Sequence, residues 1–178
     1  MNNLNTKFLL LLASLFVSLS LNAATIGEKP KNIIIAADEG GLVEDGSLWN
    51  SSTLKDKVHV MFYVDPDEKD VNEHYTQLLK IEKEEKRLSF QSIAIINLAA
   101  TWKPNFIIES ILKSKQEEFP DTIYVKDKSS VLVKEWDIAD NASNILIFSQ
   151  DGTLLFYKSG AMSEEDIQKS FKIIRENS

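Results

Sequence analysis

No cysteine occurs anywhere in the 178-residue chain. Thiolates are the nucleophiles of disulfide exchange and peroxide reduction, so this absence excludes both chemistries. It also excludes disulfide staples and the lipid-bearing cysteine of a lipoprotein. Histidine is almost as scarce, with only His59 and His74, and two imidazoles without a thiolate make a poor transition-metal site. The Gly-x-Ser-x-Gly elbow of a serine hydrolase is missing. Gly40-Gly41 has neither the spacing nor the lysine of a phosphate-cradling loop. Basic residues are outnumbered, 20 against 27 acidic, for a formal charge of −7. A chain of that charge repels nucleic-acid phosphates, so nucleic acid is not an expected partner.

Long apolar runs are also lacking, except at the start. Lys7 precedes the apolar stretch Phe8 to Leu21, and Leu21-Asn22-Ala23-Ala24 follows with small residues suited to signal-peptidase cleavage after Ala23 or Ala24. A membrane span needs about 20 apolar residues, so this stretch reads as an export signal and not as a stable anchor. The expectation is a signal peptide over 1–23 and a single domain over 24–178, located in a bacterial periplasm. A domain of that size can build a core by packing alone.

The remaining pattern is α/β. Asn32 to Ala36 is a short apolar run, followed by two loop-like acidic stretches, Asp38-Glu39-Gly40-Gly41 and Glu44-Asp45-Gly46. Val58 to Val64 is β-branched and aromatic on both faces, as in a covered central strand. Asp65-Pro66-Asp67-Glu68 predicts a helix start, with Asp65 as cap, Pro66 in the first position and Glu68 closing a capping box. Val71, Tyr75, Leu78 and Leu79 continue that helix, and the charged stretch Glu82 to Arg87 is its solvated tail. Ser92 to Leu98 predicts a second strand. Pro104 opens a second helix with Ile107, Ile108, Ile111 and Leu112 on one face, and Asp121 to Lys126 predicts a third strand. Ile145 to Phe148 and Leu154 to Tyr157 flank Asp151-Gly152, a two-residue hairpin signal. Ser163 to Asp166 caps a closing helix that buries Ile167, Phe171 and Ile174.

This order predicts a thioredoxin-like three-layer α/β/α fold with a mixed central sheet and an extra N-terminal β-hairpin. Particular residues sharpen the likeness. Trp49-Asn50-Ser51, Leu54 and Lys57-Val58 before the first core strand resemble the YtfJ family of exported bacterial proteins. So do Ile96-Asn97, Trp136, and the tail from Asp151-Gly152 through Lys158-Ser159-Gly160-Ala161 to Ser163-Glu164-Glu165. The resemblance implies a thioredoxin-like fold and an exported protein, and it supplies no reaction.

Redox members of this fold carry their two cysteines where the first helix follows the first core strand. Here that stretch is Asp65-Pro66-Asp67-Glu68-Lys69-Asp70, with Asp67 and Asp70 near the cysteine positions. The cis-proline that faces the redox site is replaced by Asn141-Ala142-Ser143-Asn144. Asp65, Asp67 and Asp70 read either as caps complementing a helix dipole or as oxygen ligands. Asp67, Asp70 and His74 are the corresponding metal candidates. Asn97 and Trp102 lie where open α/β sheets bind ligands, outside the carboxyl ends of strands. Trp102 either covers the core or anchors a peptide or small ligand there, whereas Trp49 and Trp136 are expected to be structural. Two readings stand: a non-redox scaffold for an envelope protein or peptide, or a ligand-binding protein, possibly a hydrolase, centred on Asp65 to His74. Neither reading calls for a cofactor.

Overall fold

The computed structural model describes residues 23–178. The expected leader therefore lies, but for Ala23, outside the described residues. Six strands form a mixed sheet: β2 (Gly40–Leu42), β6 (Thr122–Asp127), β5 (Gln91–Asn97), β4 (His59–Val64), β7 (Ser143–Phe148) and β8 (Leu154–Ser159), in that spatial order. β4, β5 and β6 are parallel, while β2, β7 and β8 run antiparallel to their neighbours. The two parallel crossovers, through α1 (Glu73–Glu84) and α2 (Asn105–Glu118), step in one direction along the sheet. Right-handed crossovers stepping the same way place both helices on one face.

Burial sorts the strands by alternation. Val60, Ile145, Ile147 and Phe156 meet Tyr75 and Leu79 of α1 and Ile167, Phe171 and Ile174 of α4 (Glu164–Asn177). Met61, Tyr63, Ile93, Ile95 and Val125 point the other way. They meet Leu132 and Trp136 of α3 (Val131–Trp136), together with Ile33, Ile35 and Trp49 of the N-terminal segment. A sheet covered on both faces explains why Val58 to Val64, His59 apart, is apolar on both sides. The three layers match the expected architecture. The extra N-terminal strands are β1 (Ile34–Ile35) and β3 (Trp49–Asn50), paired antiparallel.

Three local expectations needed correction, and one element had no counterpart among them. Gly40-Gly41 is not loop but strand, pairing with Lys126 and Asp127 at the sheet edge. Its backbone comes so close that a Cβ on Gly40 would stand 1.9 Å from the Lys126 carbonyl oxygen, so only glycine fits. Second, Asp65 caps only a single 3₁₀ turn, Pro66–Glu68, accepting from the Asp67 N–H, and α1 proper starts at Glu73. The interruption has a tertiary cause. The Asn72 amide donates to Ser143 Oγ and the Gly160 carbonyl and accepts from Met162 N–H, fixing the chain there before the helix begins. Third, the Asp151-Gly152 hairpin closes over Ser149 to Thr153, with Ser149 N–H bonded to the Thr153 carbonyl. The element without a counterpart is α3, because Val131-Leu132-Val133 carries no helical signature.

His59 begins β4 and is buried, and its Nδ1 has no hydrogen-bond partner. Burial holds its pKa below the ordinary value of 6.5, so the folded protein prefers the neutral ring. The unfolded chain takes up that proton below about pH 6.5. Protonation of His59 therefore adds no penalty above that pH, and stability falls as pH drops below it. The expected loss begins near pH 6.5 and ends once pH has passed below the lowered pKa of the folded protein, with at most one proton linked. Urea unfolding from pH 7.5 downwards checks this: H59Q should remove the part of the slope that begins near pH 6.5. Superimposable profiles would rule the explanation out.

Candidate functional site

Four loops meet at the carboxyl ends of β4 and β5. The first follows Val64, whose strand partner is Ser143 at the start of β7. Asp65 N–H donates to the Ala142 carbonyl at 3.0 Å, tying this loop to the one that enters β7. Asp67 reaches in the other direction. Its carboxylate accepts from Thr101 Oγ1 at 2.8 Å and pairs with Lys103 Nζ, both from the loop after β5. These two partners, Lys103 foremost, hold the Asp67 carboxyl below its usual pKa.

Asn97 ends β5 opposite Asp127 of β6. Its amide donates to Asp140 Oδ1 at 3.0 Å, and its carbonyl accepts from Ser130 Oγ at 3.0 Å. Asp127 is fully buried and accepts from the Tyr63 hydroxyl at 3.0 Å and from the Ser129 and Leu132 N–H groups. Burial, and then the nearby Asp127 charge, push the Tyr63 phenol far above its ordinary pKa, so it stays a donor. Asn144, beside Tyr63 in register, donates to the Ala139 carbonyl at 2.8 Å and accepts from Tyr157 Oη at 3.0 Å. A continuous polar layer thus lies beneath the edge, where each buried group finds a partner. Ser130, Asp137 and Asn141 in the connections around it adopt left-handed backbone angles, φ 51°, 50° and 49°.

Of the residues expected to form a site, Trp102 and His74 present side chains to solvent with no partner among the described residues, and the others are engaged or buried. Asp65 is buried, with its Oδ1 on the Asp67 amide. Asn97 is buried with both ends of its amide engaged. Asp70 is exposed and bonded to Lys69, while His74 is exposed on α1. Asp67, Asp70 and His74 are not brought to one point. Among the described residues, no group of three or more His, Asp or Glu is placed to hold a metal ion.

Trp102 is 86% exposed, so it does not cover the core. Phe106, one turn further on, is 73% exposed, and Ile107 and Ile111 of α2 are also exposed. The sheet buries only Ile108 and Leu112 of that helix. The apolar face read from the sequence is therefore wider than the surface available to cover it. Asn144 was placed here by the sequence as part of Asn141-Ala142-Ser143-Asn144, whereas Tyr63, Asp127, Ser130 and Asp140 were missed as members of this region. The signal in the sequence is a polar residue at a strand terminus beside an apolar run, at Asn97 and Asp127 where strands end and at Asn144 where one begins.

Comparison with known proteins settles what kind of chain this is. A family model described as "Bacterial protein of unknown function (YtfJ_HI0045)" matches residues 29–177. The chain belongs to the YtfJ family. Uncharacterized protein YtfJ of Escherichia coli (strain K12) is 24% identical over 146 residues, covering 78% of this chain and 79% of that protein. An uncharacterized Haemophilus influenzae protein is 26% identical over 130 residues, 71% of this chain and 70% of the relative. The fold of this YtfJ family member is shared more widely. A putative thiol:disulfide interchange protein DsbE from Chlorobium tepidum superimposes with TM-score 0.61 at 10% identity, over 88% of this chain and all of the other. A putative thioredoxin from Neisseria meningitidis gives 0.54 at 14% identity, over 85% and 93%. At such identities the likeness establishes the thioredoxin-like fold alone. Among the described residues no peptide bond is cis, and Ser143-Asn144 starts β7 where the sequence lacks the fold's usual proline.

Proposed function

We propose that this YtfJ family member is an exported, non-redox docking module that holds an apolar peptide segment of an envelope protein on the Trp102–Phe106 edge. The observation that supports this is the pair of large aromatic side chains left exposed at the carboxyl ends of the sheet. There the Asp67–Thr101–Lys103 contacts and the Asn97–Asp140 bond fasten their loop to its neighbours. Exposed aromatics on a rigid support are the usual anchors of an interface, since little entropy is lost when they are covered. Without cysteine, the same edge can hold a polypeptide but cannot exchange disulfides with it. The charge of −7 favours a partner whose apolar residues are flanked by lysine or arginine, and disfavours an anionic lipid surface.

Selection from a random peptide library tests the reading. Enriched peptides should combine aliphatic or aromatic residues with basic flanks. The double variant W102A/F106A should weaken their binding by about 30-fold or more, as expected for removal of anchor residues. Selected peptides that bind this double variant as tightly as the natural protein, or a library that yields none, would overturn it.

A further inference from the structure

Helix α2 leaves a second apolar line uncovered beside the Trp102–Phe106 edge. Ile107 and Ile111 are 44% and 53% exposed, and Ser110 and Ser114 are exposed with them. Residues at i, i+3, i+4 and i+7 share one side of a helix, so these four form a single stripe along α2. At about 100° per residue, Phe106 lies on one flank of the stripe, and the buried Ile108 and Leu112 lie on the other. The short side chains of Ser110 and Ser114 leave room for another helix to approach closely.

The charges of α2 say which helix fits. Acidic groups are favourable at the amino end of a helix and unfavourable at its carboxyl end. α2 has no acidic residue in its first turn and no side-chain cap there, and Lys103 stands just before it. Its last turn carries Glu117 and Glu118. Glu118 pairs with Lys115, whereas Glu117 has no ion pair among the described residues. Each end of α2 therefore carries the charge that suits its opposite end. A second α2 laid antiparallel, with the two-fold axis between Ser110 and Ile111, satisfies both ends at once. Ile107 of one copy then faces Ser114 of the other, and the Ile111 side chains meet near the axis. Glu117 faces the uncapped amino end of the other helix, beside Lys103.

We propose that the Ile107–Ile111 stripe of α2 docks against the same stripe of a second copy of this chain, as a weak antiparallel two-fold dimer. Two isoleucines from each copy make a small contact, which sets a dissociation constant in the micromolar range. The pairing does not depend on peptide docking, because Trp102 and Phe106 lie at its rim.

Sedimentation of the purified protein from about 1 µM to about 1 mM tests this. The mass should rise from monomer to dimer across that range. I107E/I111E alters two exposed positions, so the fold is kept, and this variant should stay monomeric throughout. E117K sets a positive group against the positive end of the other helix and should weaken the dimer by about fivefold. W102A/F106A should dimerise as the natural protein does. The lack of cysteine supplies an independent measurement, since S110C would carry the chain's only thiol. Mild oxidation should join two copies through it much faster than through K172C, placed at an equally open position on α4. A monomer at every concentration overturns the proposal, as does a dimer that survives I107E/I111E or is indifferent to E117K. So does S110C crosslinking no faster than K172C, or a dimer lost in W102A/F106A.

Discussion

Replacing Asp127 with alanine is expected to cost about 3–5 kcal/mol, a large share of the stability of a domain this size. The carboxylate has no solvent exposure, and it is the acceptor for the Tyr63 hydroxyl, the Ser129 amide and the Leu132 amide. Truncation strands those donors in the interior, each worth about 1–3 kcal/mol when its partner is lost. The sum is held to the stated range because a water can enter the space vacated. The bonds to Ser129 and Leu132 also fasten the first turn of α3, so that turn should loosen with them. Urea unfolding would register the loss, and the melting temperature should fall by about 10 °C, at about 2–4 °C per kcal/mol. Two milder variants apportion the effect. Y63F removes a single donor and should cost about 1 kcal/mol, while D127N retains one acceptor and should fall between the two. A D127A protein within about 1 kcal/mol of the original would mean that this polar layer does not hold the edge together.

Two of the three tryptophans provide the second test. W136A is expected to cost about 3–5 kcal/mol, the usual range for deleting a large buried aromatic side chain. Its ring sits 5.8 Å from that of Phe148, centroid to centroid, and its N–H caps the Lys31 carbonyl. Both the packing and the link from α3 to the N-terminal segment would go. W102A should change stability by no more than about 0.5 kcal/mol, because that side chain buries almost nothing. Thermal melts of the two variants side by side make the comparison. If W102A were as destabilising as W136A, its ring would belong to the core and could not serve as a docking anchor.

Much of the architecture was legible in the sequence because local pattern and tertiary role agree there. Val58 to Val64 is apolar on both faces and becomes the central strand. Ser163 to Asp166 reads as a helix cap, and Ser163 caps α4 there, in a full capping box with Asp166. The discrepancies cluster where long-range contacts override local preference. Asn72 is drawn to Ser143 and Gly160, distant in sequence, so α1 starts later than its local signals predict. α3 is a six-residue helix in a β-branched stretch, held by a carboxylate from the preceding strand. Local propensity carries no trace of either.

The candidate site was less legible than the fold. Sequence spacing drew attention to Asp65, Asp67, Asp70 and His74, because acidic residues at a helix start suit both capping and cation binding. In the folded chain Asp67 turns to Lys103 and Asp70 to Lys69, contacts that neither spacing nor charge identifies. For Trp102 the sequence left two outcomes open, and only the packing chose between them.

By itself the sequence determined the chemistry that is impossible here and the order of the elements. Composition decides whether a thiolate exists, and hydrophobic periodicity decides which segments must be buried on one face or two. Tertiary structure alone decided which apolar residues stay uncovered and which polar ones are consumed inside. Periodicity says that Ile107, Ile108, Ile111 and Leu112 share a helix face, but how much of that face is buried depends on the width of the sheet beneath it. Likewise Asn97 and Trp102 lie five residues apart, one sealed and the other in solvent, because burial belongs to the assembled layers and not to the residue type.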